Sequence, residues 1–238
     1  PITVILSEKG WVRAMKGHQD DLSKLEFKQG DELKRALKAW TTDKLILFAT
    51  NGRFFTLEAG QLPGGRGHGE PVRLMVDLEE NHDFLEIFVH EPGRKLLVAS
   101  TGAYGFIVPE DEVVASTRKG KQILNVSEPE EARVCVPLPS DADYVATMGE
   151  NRKMLVFKLE EINEMTRGKG VILQRIKDGA LIDAKGFKKS AGLTWLDSAN
   201  REHSLSWGEL KEWVGERAQA GKMAPKGFPR SNKFGPAF

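Results

Sequence analysis

The sequence contains one cysteine, two tyrosines and no hydrophobic run long enough to cross a membrane. The single thiol, Cys135, excludes an internal disulfide framework and a zinc site built from several cysteines, which favours a reducing, cytosolic setting. The longest apolar stretches, such as residues 45–49, fall far short of the roughly 18 residues that a transmembrane helix requires. The chain starts without a basic segment or an initiating methionine, which indicates a β-strand within a piece of a longer chain rather than a signal peptide.

Residue patterns that carry catalysis are equally scarce. The sequence has no Gly-x-Ser-x-Gly nucleophile elbow and no Gly-x-x-x-x-Gly-Lys-Ser/Thr phosphate loop. Its five histidines are scattered and show no metal-ligand spacing. An independent enzyme is therefore disfavoured, and we expect neither a metal nor a cofactor in this chain.

Turn-forming residues are abundant, with 24 glycines and 11 prolines, and this argues against an all-helical protein. One motif recurs, in which an apolar run, a short polar turn and a second apolar run follow one another. The runs favour β-branched and aromatic residues, and turns such as Asn-Gly supply the positive φ angles of tight hairpins. The turns centre on Gly10, Gly52, Gly102, Asn151 and Asn200, which are 42, 50, 49 and 49 residues apart.

Shorter strands are predicted between these hairpins, for example over residues 73–76, 86–90, 123–126 and 171–176. Each unit then holds about four strands, which is the size of a propeller blade. We therefore predict an all-β, propeller-like fold of about five four-stranded blades. A β-sandwich with fortuitous hairpins is the alternative, and the near-constant spacing weighs against it.

The C-terminal region has a different character. Ser206 begins a capping-box pattern, and Leu210 and Trp213 lie on one helical stripe, so a short closing helix is predicted. Residues 221–238 contain basic residues, no acidic residue and three prolines. The predicted organisation is thus one domain over residues 1–220, followed by a flexible basic tail over 221–238.

Charge is balanced overall, at 35 basic against 34 acidic residues, but it alternates along the chain in blocks. Equal phase in a radial repeat means equal position on successive blades, so the basic blocks predict a band of positive charge. The acidic blocks cover residues 77–91, 110–112, 128–131 and 160–164. The basic blocks supply the candidate DNA-binding residues, namely Arg66, His68, Arg73, Arg118, Lys119, Lys121, Arg167, Lys169, Arg175, Lys177, Lys185, Lys188 and Lys189.

A positive band suits the phosphates of a long polyanion, because Lys and Arg release its condensed counterions. Glycines beside these residues would let the backbone approach and offer amides to phosphate oxygens. Few aromatic residues lie among the basic blocks, which favours binding to the duplex backbone over stacking on unpaired bases. Two alternatives stay open. In the first, the basic blocks are solvated loops without a ligand. In the second, the acidic blocks make the domain a scaffold that docks a protein partner.

The ordered series of motifs in this sequence is more specific than any one hairpin. It comprises residues 43–53, 62–69, 117–122, 150–157, 166–171 and 227–234. With these segments the chain resembles, over nearly its whole length, the C-terminal domain of the A subunit of bacterial type IIA topoisomerases. Within that family it is similar to the topoisomerase IV branch.

The resemblance implies a β-pinwheel, a propeller-like fold in which neighbouring blades exchange strands and double-stranded DNA bends around a basic rim. It implies a non-catalytic domain that presents DNA to an ATP-dependent strand-passage core for decatenation and relaxation, in the cytoplasm at the nucleoid. The implied partners are DNA, the N-terminal part of the same subunit, the ATPase B subunit (ParE) and a protein regulator, without a membrane. ATP and Mg²⁺ are expected only in the rest of that enzyme.

Two features qualify the resemblance. The gyrase branch carries a Gln-Arg-Arg-Gly-Gly-Lys-Gly box in its first blade, whereas the corresponding residues 18–24 here contain neither Arg nor Gly, which favours the topoisomerase IV branch. The cleavage tyrosine of the family follows an arginine, whereas Tyr104 and Tyr144 follow Ala103 and Asp143. Neither tyrosine is therefore expected to cleave DNA.

Overall fold

Eighteen β-strands and one short α-helix make up the computed structural model, which describes residues 1–238. Short 3₁₀ turns join several of the strands. In chain order the elements are β1 (Ile2–Ser7), β2 (Trp11–Lys16), β3 (Leu33–Ala39), β4 (Lys44–Ala49), β5 (Arg53–Glu58), β6 (Glu70–Pro71), β7 (Phe84–Val89), β8 (Lys95–Ser100), β9 (Tyr104–Pro109), β10 (Lys121–Gln122), β11 (Ala132–Leu138), β12 (Tyr144–Gly149), β13 (Lys153–Lys158), β14 (Val171–Ile172), β15 (Leu181–Phe187), β16 (Leu193–Leu196), β17 (Glu202–Leu205), α1 (Trp207–Leu210) and β18 (Lys222–Met223).

The chain divides into two compact units, of which the first contains Pro1–Pro92 and Val113–Gln122. It holds two antiparallel four-stranded sheets, sheet 1 in the order β3-β1-β2-β6 and sheet 2 in the order β10-β5-β4-β7. Strand β1 is buried along its whole length, and β4 is buried from its second residue onward. Apolar side chains of both sheets, among them Leu6, Leu47 and Phe55, form the core of this unit.

The second unit contains Gly93–Glu112 and Ile123–Phe238. Sheet 3 has the order β11-β8-β9-β14, sheet 4 the order β15-β12-β13-β18, and sheet 5 is the single hairpin β16-β17. Four of the five repeats therefore complete the predicted four-stranded sheet. Two hydrophobic clusters fill this unit, one around Leu97 and Phe157 and another around Trp195 and Trp213.

All five hairpins share one turn geometry. Five residues separate the last paired residues in each, from Leu6 and Val12 in the first to Leu196 and Glu202 in the fifth. The fourth residue of each turn has a positive φ, and its amide donates to the carbonyl three residues earlier at 2.9–3.0 Å. These residues are Gly10, Gly52, Ala103, Arg152 and Asn200, spaced by 42, 51, 49 and 48 residues.

The predicted turn anchors are therefore right in three repeats and one residue early in the other two. Gly102 and Asn151 are residue types that favour positive φ, yet their neighbours Ala103 and Arg152 adopt it instead, at 68° and 65°. The length of the five-residue loop fixes which position has the positive φ. Only three of the five repeats place a glycine or an asparagine at that position.

The outer strand of each complete sheet comes from the following repeat. Strands β6, β10, β14 and β18 are two residues long and pair with β2, β5, β9 and β13, respectively. A glycine with positive φ precedes each of them, and a Cβ on that glycine would lie 2.0–2.4 Å from a carbonyl oxygen of the receiving strand. The glycines are Gly69, Gly120, Gly170 and Gly221. We call β6, β10, β14 and β18 the exchange strands.

The short strands predicted between hairpins are only partly present. The prediction for residues 86–90 is confirmed by β7. Residues 73–76 instead begin inside a 3₁₀ turn over Val72–Leu74 and form no strand, because the exchange strand has already ended at Pro71. Residues 123–126 lie beyond β10, and only the first two residues of 171–176 form a strand, β14.

The predicted capping box at Ser206 is present. The Glu209 amide donates to Ser206 Oγ at 3.4 Å, and the Ser206 amide donates to Glu209 Oε1 at 3.0 Å. The helix, α1, is only one turn long and continues as a 3₁₀ turn over Lys211–Trp213.

The prediction of a flexible tail over residues 221–238 is wrong. Phe228 and Phe234 are 3% and 4% exposed and pack with Trp195 in one cluster. The Arg152 guanidinium donates to the carbonyls of Phe228 and Pro229 at 3.0 Å, and β18 pairs with β13. Aromatic rings distributed through a basic, proline-containing segment thus fix it to sheets 4 and 5.

Candidate nucleic-acid interface

Three basic loops lie immediately before exchange strands. Residues 66–69 lead into β6, residues 118–120 into β10 and residues 167–170 into β14. We call these segments the exchange loops. Each leads into an edge strand that pairs with the second strand of the hairpin, in sheets 1, 2 and 3. The equal phase read from the sequence therefore corresponds to an equal structural position.

Most basic side chains of the exchange loops are free of protein partners. Arg66, His68, Lys119 and Arg167 are exposed, and their side chains make no hydrogen bond or ion pair. Lys169 places its Nζ 4.0 Å from the centre of the Tyr104 ring. Such exposed, unpaired cations can bind an external anion without first breaking an internal contact.

Arg118 and Lys121 are more engaged. Arg118 donates to the Leu74 carbonyl at 2.9 Å and forms a 3.4 Å ion pair with Asp77. Both side chains of that pair are more than half exposed, so the pair contributes little to stability. Lys121 is an exposed residue of the exchange strand β10, opposite Phe54.

The structure assigns Arg73 a different position and role from the exchange loops. Its guanidinium donates to the carbonyls of Leu78, Glu79 and His82, and an ion pair joins it to Asp83 at 3.6 Å. These contacts fix the acidic loop that precedes β7. Arg73 therefore stabilises a loop and offers few donors to an external anion.

Arg175 and Lys177 belong to another phase of the repeat. They follow β14 and approach the turn before β15, where other repeats carry acidic residues such as 79–80 and 128–131. This turn lies beside the hairpin loop, since the Glu150 amide donates to the Ala180 carbonyl at 2.8 Å. Both cations are exposed, but they lie outside the exchange loops.

The lysine cluster 185–189 is split by its contacts. Lys185 is half-buried and donates from Nζ to Thr194 O at 2.7 Å and to Thr194 Oγ1 at 2.8 Å, and burial lowers the pKa of its ammonium group. Lys188 pairs with Asp141 at 3.8 Å, and Lys189 lies over the Trp207 ring. Lys185 is thus committed to Thr194, whereas Lys188 and Lys189 are exposed and weakly held but lie outside the exchange loops.

Strand exchange brings aromatic residues to the basic loops, which the sequence reading missed. The residue that directly follows the positive-φ residue of each turn is Trp11, Arg53, Tyr104, Lys153 or Arg201. Lys28 Nζ lies 4.0 Å from the centre of the Trp11 ring, and Lys169 covers Tyr104 in the same way. The signal was present in the aligned repeats, because a large aromatic or cationic residue follows every turn.

The glycines beside the basic residues have structural reasons. Gly69, Gly120 and Gly170 allow the close approach of the exchange strands described above. The amide of Gly120 donates to the Thr117 carbonyl at 3.1 Å, and the amide of Gly168 donates to the Ile123 carbonyl at 2.9 Å. These two amides are used within the chain, so the expectation that they would bind phosphate is wrong.

Residues 18–24, at the place of the gyrase box, form no strand. Asp20 pairs with Lys38, and Asp21 accepts from the hydroxyl and the amide of Ser23. This loop therefore lacks the arginine, the glycines and the exchange-strand geometry of residues 66–69.

No group of three or more His, Cys, Asp or Glu side chains is arranged to hold a metal ion, and Cys135 is buried. None of the helices has the length and apolarity needed to span a bilayer.

The strand exchange and the repeat define a class of protein, the gyrase-type C-terminal β-propeller. The family model for the DNA gyrase C-terminal domain, beta-propeller, matches residues 43–88, 94–133 and 143–184, more than half of the chain. The chain belongs to this family. It is similar to the A subunit of DNA topoisomerase 4 from Caulobacter vibrioides, with 50% identity over 236 residues that cover 99% of this chain and 30% of the relative.

Solved structures agree with this assignment. The Escherichia coli ParC C-terminal domain is 28% identical, with a TM-score of 0.81 over 96% of this chain and 95% of that one. A DNA gyrase A C-terminal domain shares the fold at 16% identity, with a TM-score of 0.67 over 95% of this chain and 80% of that one. The all-β pinwheel fold and the resemblance to the topoisomerase IV branch are confirmed. The chain spans about 30% of the length of the curated relatives it matches.

Proposed function

We propose that this chain is the DNA-binding and DNA-bending C-terminal domain of a topoisomerase IV A subunit. It presents duplex DNA to the strand-passage part of the enzyme for decatenation and relaxation. The observation that carries the proposal is the recurrence of exposed, unpaired cations at one structural position in sheets 1, 2 and 3. Repeated, sequence-independent phosphate contacts are what a duplex backbone offers.

The contacts of the exchange loops support a switch from protein to phosphate partners. Lys119 and Arg167 have no internal partner, and Lys169 has only the Tyr104 ring. Arg118 has an exposed carboxylate partner, whose loss costs less than about 1 kcal/mol. A phosphate diester can therefore compete for these cations at little cost.

The remaining parts of the proposal concern the whole enzyme. The N-terminal part of the subunit supplies the cleavage tyrosine, and the ParE subunit supplies ATP hydrolysis with Mg²⁺. This domain holds no cofactor of its own and acts in the cytoplasm at the nucleoid. A protein regulator is a further partner.

The test is a gel-shift titration with short and long linear duplexes at about 50 and 200 mM salt. We expect tighter binding to the longer duplex and an affinity loss on the order of 10³-fold between the two salt concentrations for about six phosphate contacts. The K119E/R167E variant should bind at least roughly tenfold more weakly, with a salt slope smaller by about 2. The K44E/K211E variant changes the net charge equally at exposed positions outside the exchange loops and is the control.

Absence of binding at low salt, or equal effects of the two double variants, would overturn the proposal. The second candidate function is a protein-docking scaffold, and the order that Arg73 imposes on the acidic loop before β7 favours it. In that case reversal of Glu79 and Glu80 to Lys would abolish capture of a basic partner, while K119E/R167E would leave it intact.

A further inference from the structure

Arg13 occupies a position that is apolar in the other complete sheets. It lies opposite Ile5 in β2, as Phe55 lies opposite Leu47 and Phe106 opposite Val98. Phe55 and Phe106 are fully buried, and Arg13 is only 4% exposed. The first sheet therefore places a guanidinium group where sheets 2 and 3 place a core aromatic ring.

The charge of Arg13 has no carboxylate partner. The guanidinium donates to the carbonyls of Gly67 and Glu26, the latter at 2.8 Å, and it lies 5.4 Å from the centre of the Phe27 ring. No Asp or Glu oxygen lies within ion-pair distance. Buried charges are normally compensated by an opposite charge, so this site has a positive charge in excess.

A shallow pocket, open to solvent, lies beside this guanidinium. Lys28 and His68 also line it, so three basic side chains converge there, with Trp11 as one wall. Asp31 is the one acidic residue of the lining, and its Oδ1 already accepts from the amides of Lys9 at 3.0 Å and Glu32 at 2.8 Å. The Asp31 side chain also bonds Ser7, and Arg13 and Lys28 together outweigh its single negative charge, so the lining keeps a net positive charge.

We propose that this pocket binds a phosphate group. Arg13 supplies a fixed charge held by two loop carbonyls, and the exposed side chains of Lys28 and His68 close over the anion. Lys28 leaves the Trp11 ring in doing so, and that interaction is worth only about 0.5–1 kcal/mol at an exposed site. The phosphate is either one diester of bound duplex, in which case the inference rests on the proposed function, or a free phosphate ion.

The first measurement is a titration of the full chain with inorganic phosphate at constant ionic strength, followed by the NMR signal of the Trp11 indole N–H. The signal is assigned with the Trp11→Phe variant. We expect a saturable shift that is lost in Lys28→Gln and kept in Lys24→Gln, an exposed lysine of the same loop outside the pocket. A shift that does not saturate, or that chloride reproduces, overturns the proposal.

The second measurement distinguishes the source of the phosphate. If the phosphate belongs to DNA, the K28Q/H68Q variant should lower the salt slope of duplex binding by about 0.9, one contact, relative to Lys24→Gln. A saturable phosphate shift with an unchanged slope assigns the pocket to a free ion. A wild-type chain that shifts with phosphate but binds no duplex overturns the proposed function alone, and duplex binding without any phosphate shift overturns the pocket alone.

Discussion

At the scale of single residues, four glycines determine whether sheets can share strands. Gly120 has a φ of 67°, and a Cβ there would lie 2.3 Å from the Phe54 carbonyl oxygen. Gly67 has a similar φ of 77°, but nothing lies within 4 Å of its Cβ position. A side chain at Gly67 would lose stability only through the positive φ, whereas one at Gly120 would also clash with Phe54. Comparing the two positions therefore separates these two contributions to the free energy of unfolding.

We expect Gly67→Ala to lower the free energy of unfolding by about 1–2 kcal/mol, the penalty for positive φ. Gly120→Ala should cost clearly more, about 3–4 kcal/mol, because β10 must also move away from β5. Urea unfolding of both variants, followed by circular dichroism, measures the difference. Equal losses would contradict the role assigned to the close approach.

Asp197 provides a pH-dependent contact in the fifth turn. Its Oδ2 accepts from His203 Nε2 at 2.8 Å, and its Oδ1 accepts from the amides of Ala199 and Arg201 at 2.8 and 2.9 Å. The hydrogen bond from His203, and then the amide of Arg201, hold the pKa of this carboxyl well below its ordinary value of 3.8.

A depressed pKa means that the folded state prefers the ionised carboxylate, so this contribution is present above pH 3.8 and is lost as the pH falls. Asp197→Asn should therefore lower the thermal midpoint near pH 7, and the difference from the wild type should narrow toward about pH 2. Thermal unfolding across that range checks the prediction. A constant difference at every pH would show that the carboxylate charge contributes nothing.

At the scale of elements, the sequence predicts the hairpins well and the exchange strands poorly. Each hairpin has two apolar runs and a turn at a constant spacing, whereas each exchange strand has two residues and no alternation to read. The basic exchange loops are found from charge phase alone. The roles of Arg73 and Lys185 cannot be predicted from the sequence. Their partners are backbone carbonyls and a threonine that only the fold brings close to them.

The C-terminal segment shows the same limit, since its composition hides two core rings. Phe228→Ala should lower the free energy of unfolding by about 3–4 kcal/mol, as truncation of a buried ring does. Phe238, which is 41% exposed, offers the control, and its replacement by Ala should cost under about 1 kcal/mol. Denaturant midpoints measured on both variants decide whether residues 225–234 are part of the folded domain.

At the scale of the whole molecule, a net charge of +1 gives little long-range attraction for a polyanion. Exposed charges are screened beyond about 8 Å at physiological salt, so binding must depend on the local arrangement of cations. Asp77 forms an ion pair with Arg118, which belongs to an exchange loop, whereas Asp178 lies in a turn outside the exchange loops.

Asp77→Asn and Asp178→Asn raise the net charge equally. Asp77→Asn should tighten duplex binding up to about fivefold because it releases Arg118, and Asp178→Asn should change it little. Fluorescence anisotropy at low salt compares the two. Equal gains would show that total charge, rather than the exchange loops, controls the affinity.

Every complete sheet takes its exchange strand from the next repeat. No repeat can therefore be deleted, duplicated or moved to another protein on its own. Removing the residues of one hairpin and its connections would also strip an edge from the sheet before it. A recombination that keeps the domain folded must therefore join two chains at equivalent positions of the repeat, so that each exchange strand is replaced by an equivalent one. The five repeats provide only four exchange strands, and β17 is the second hairpin strand that pairs with none of them.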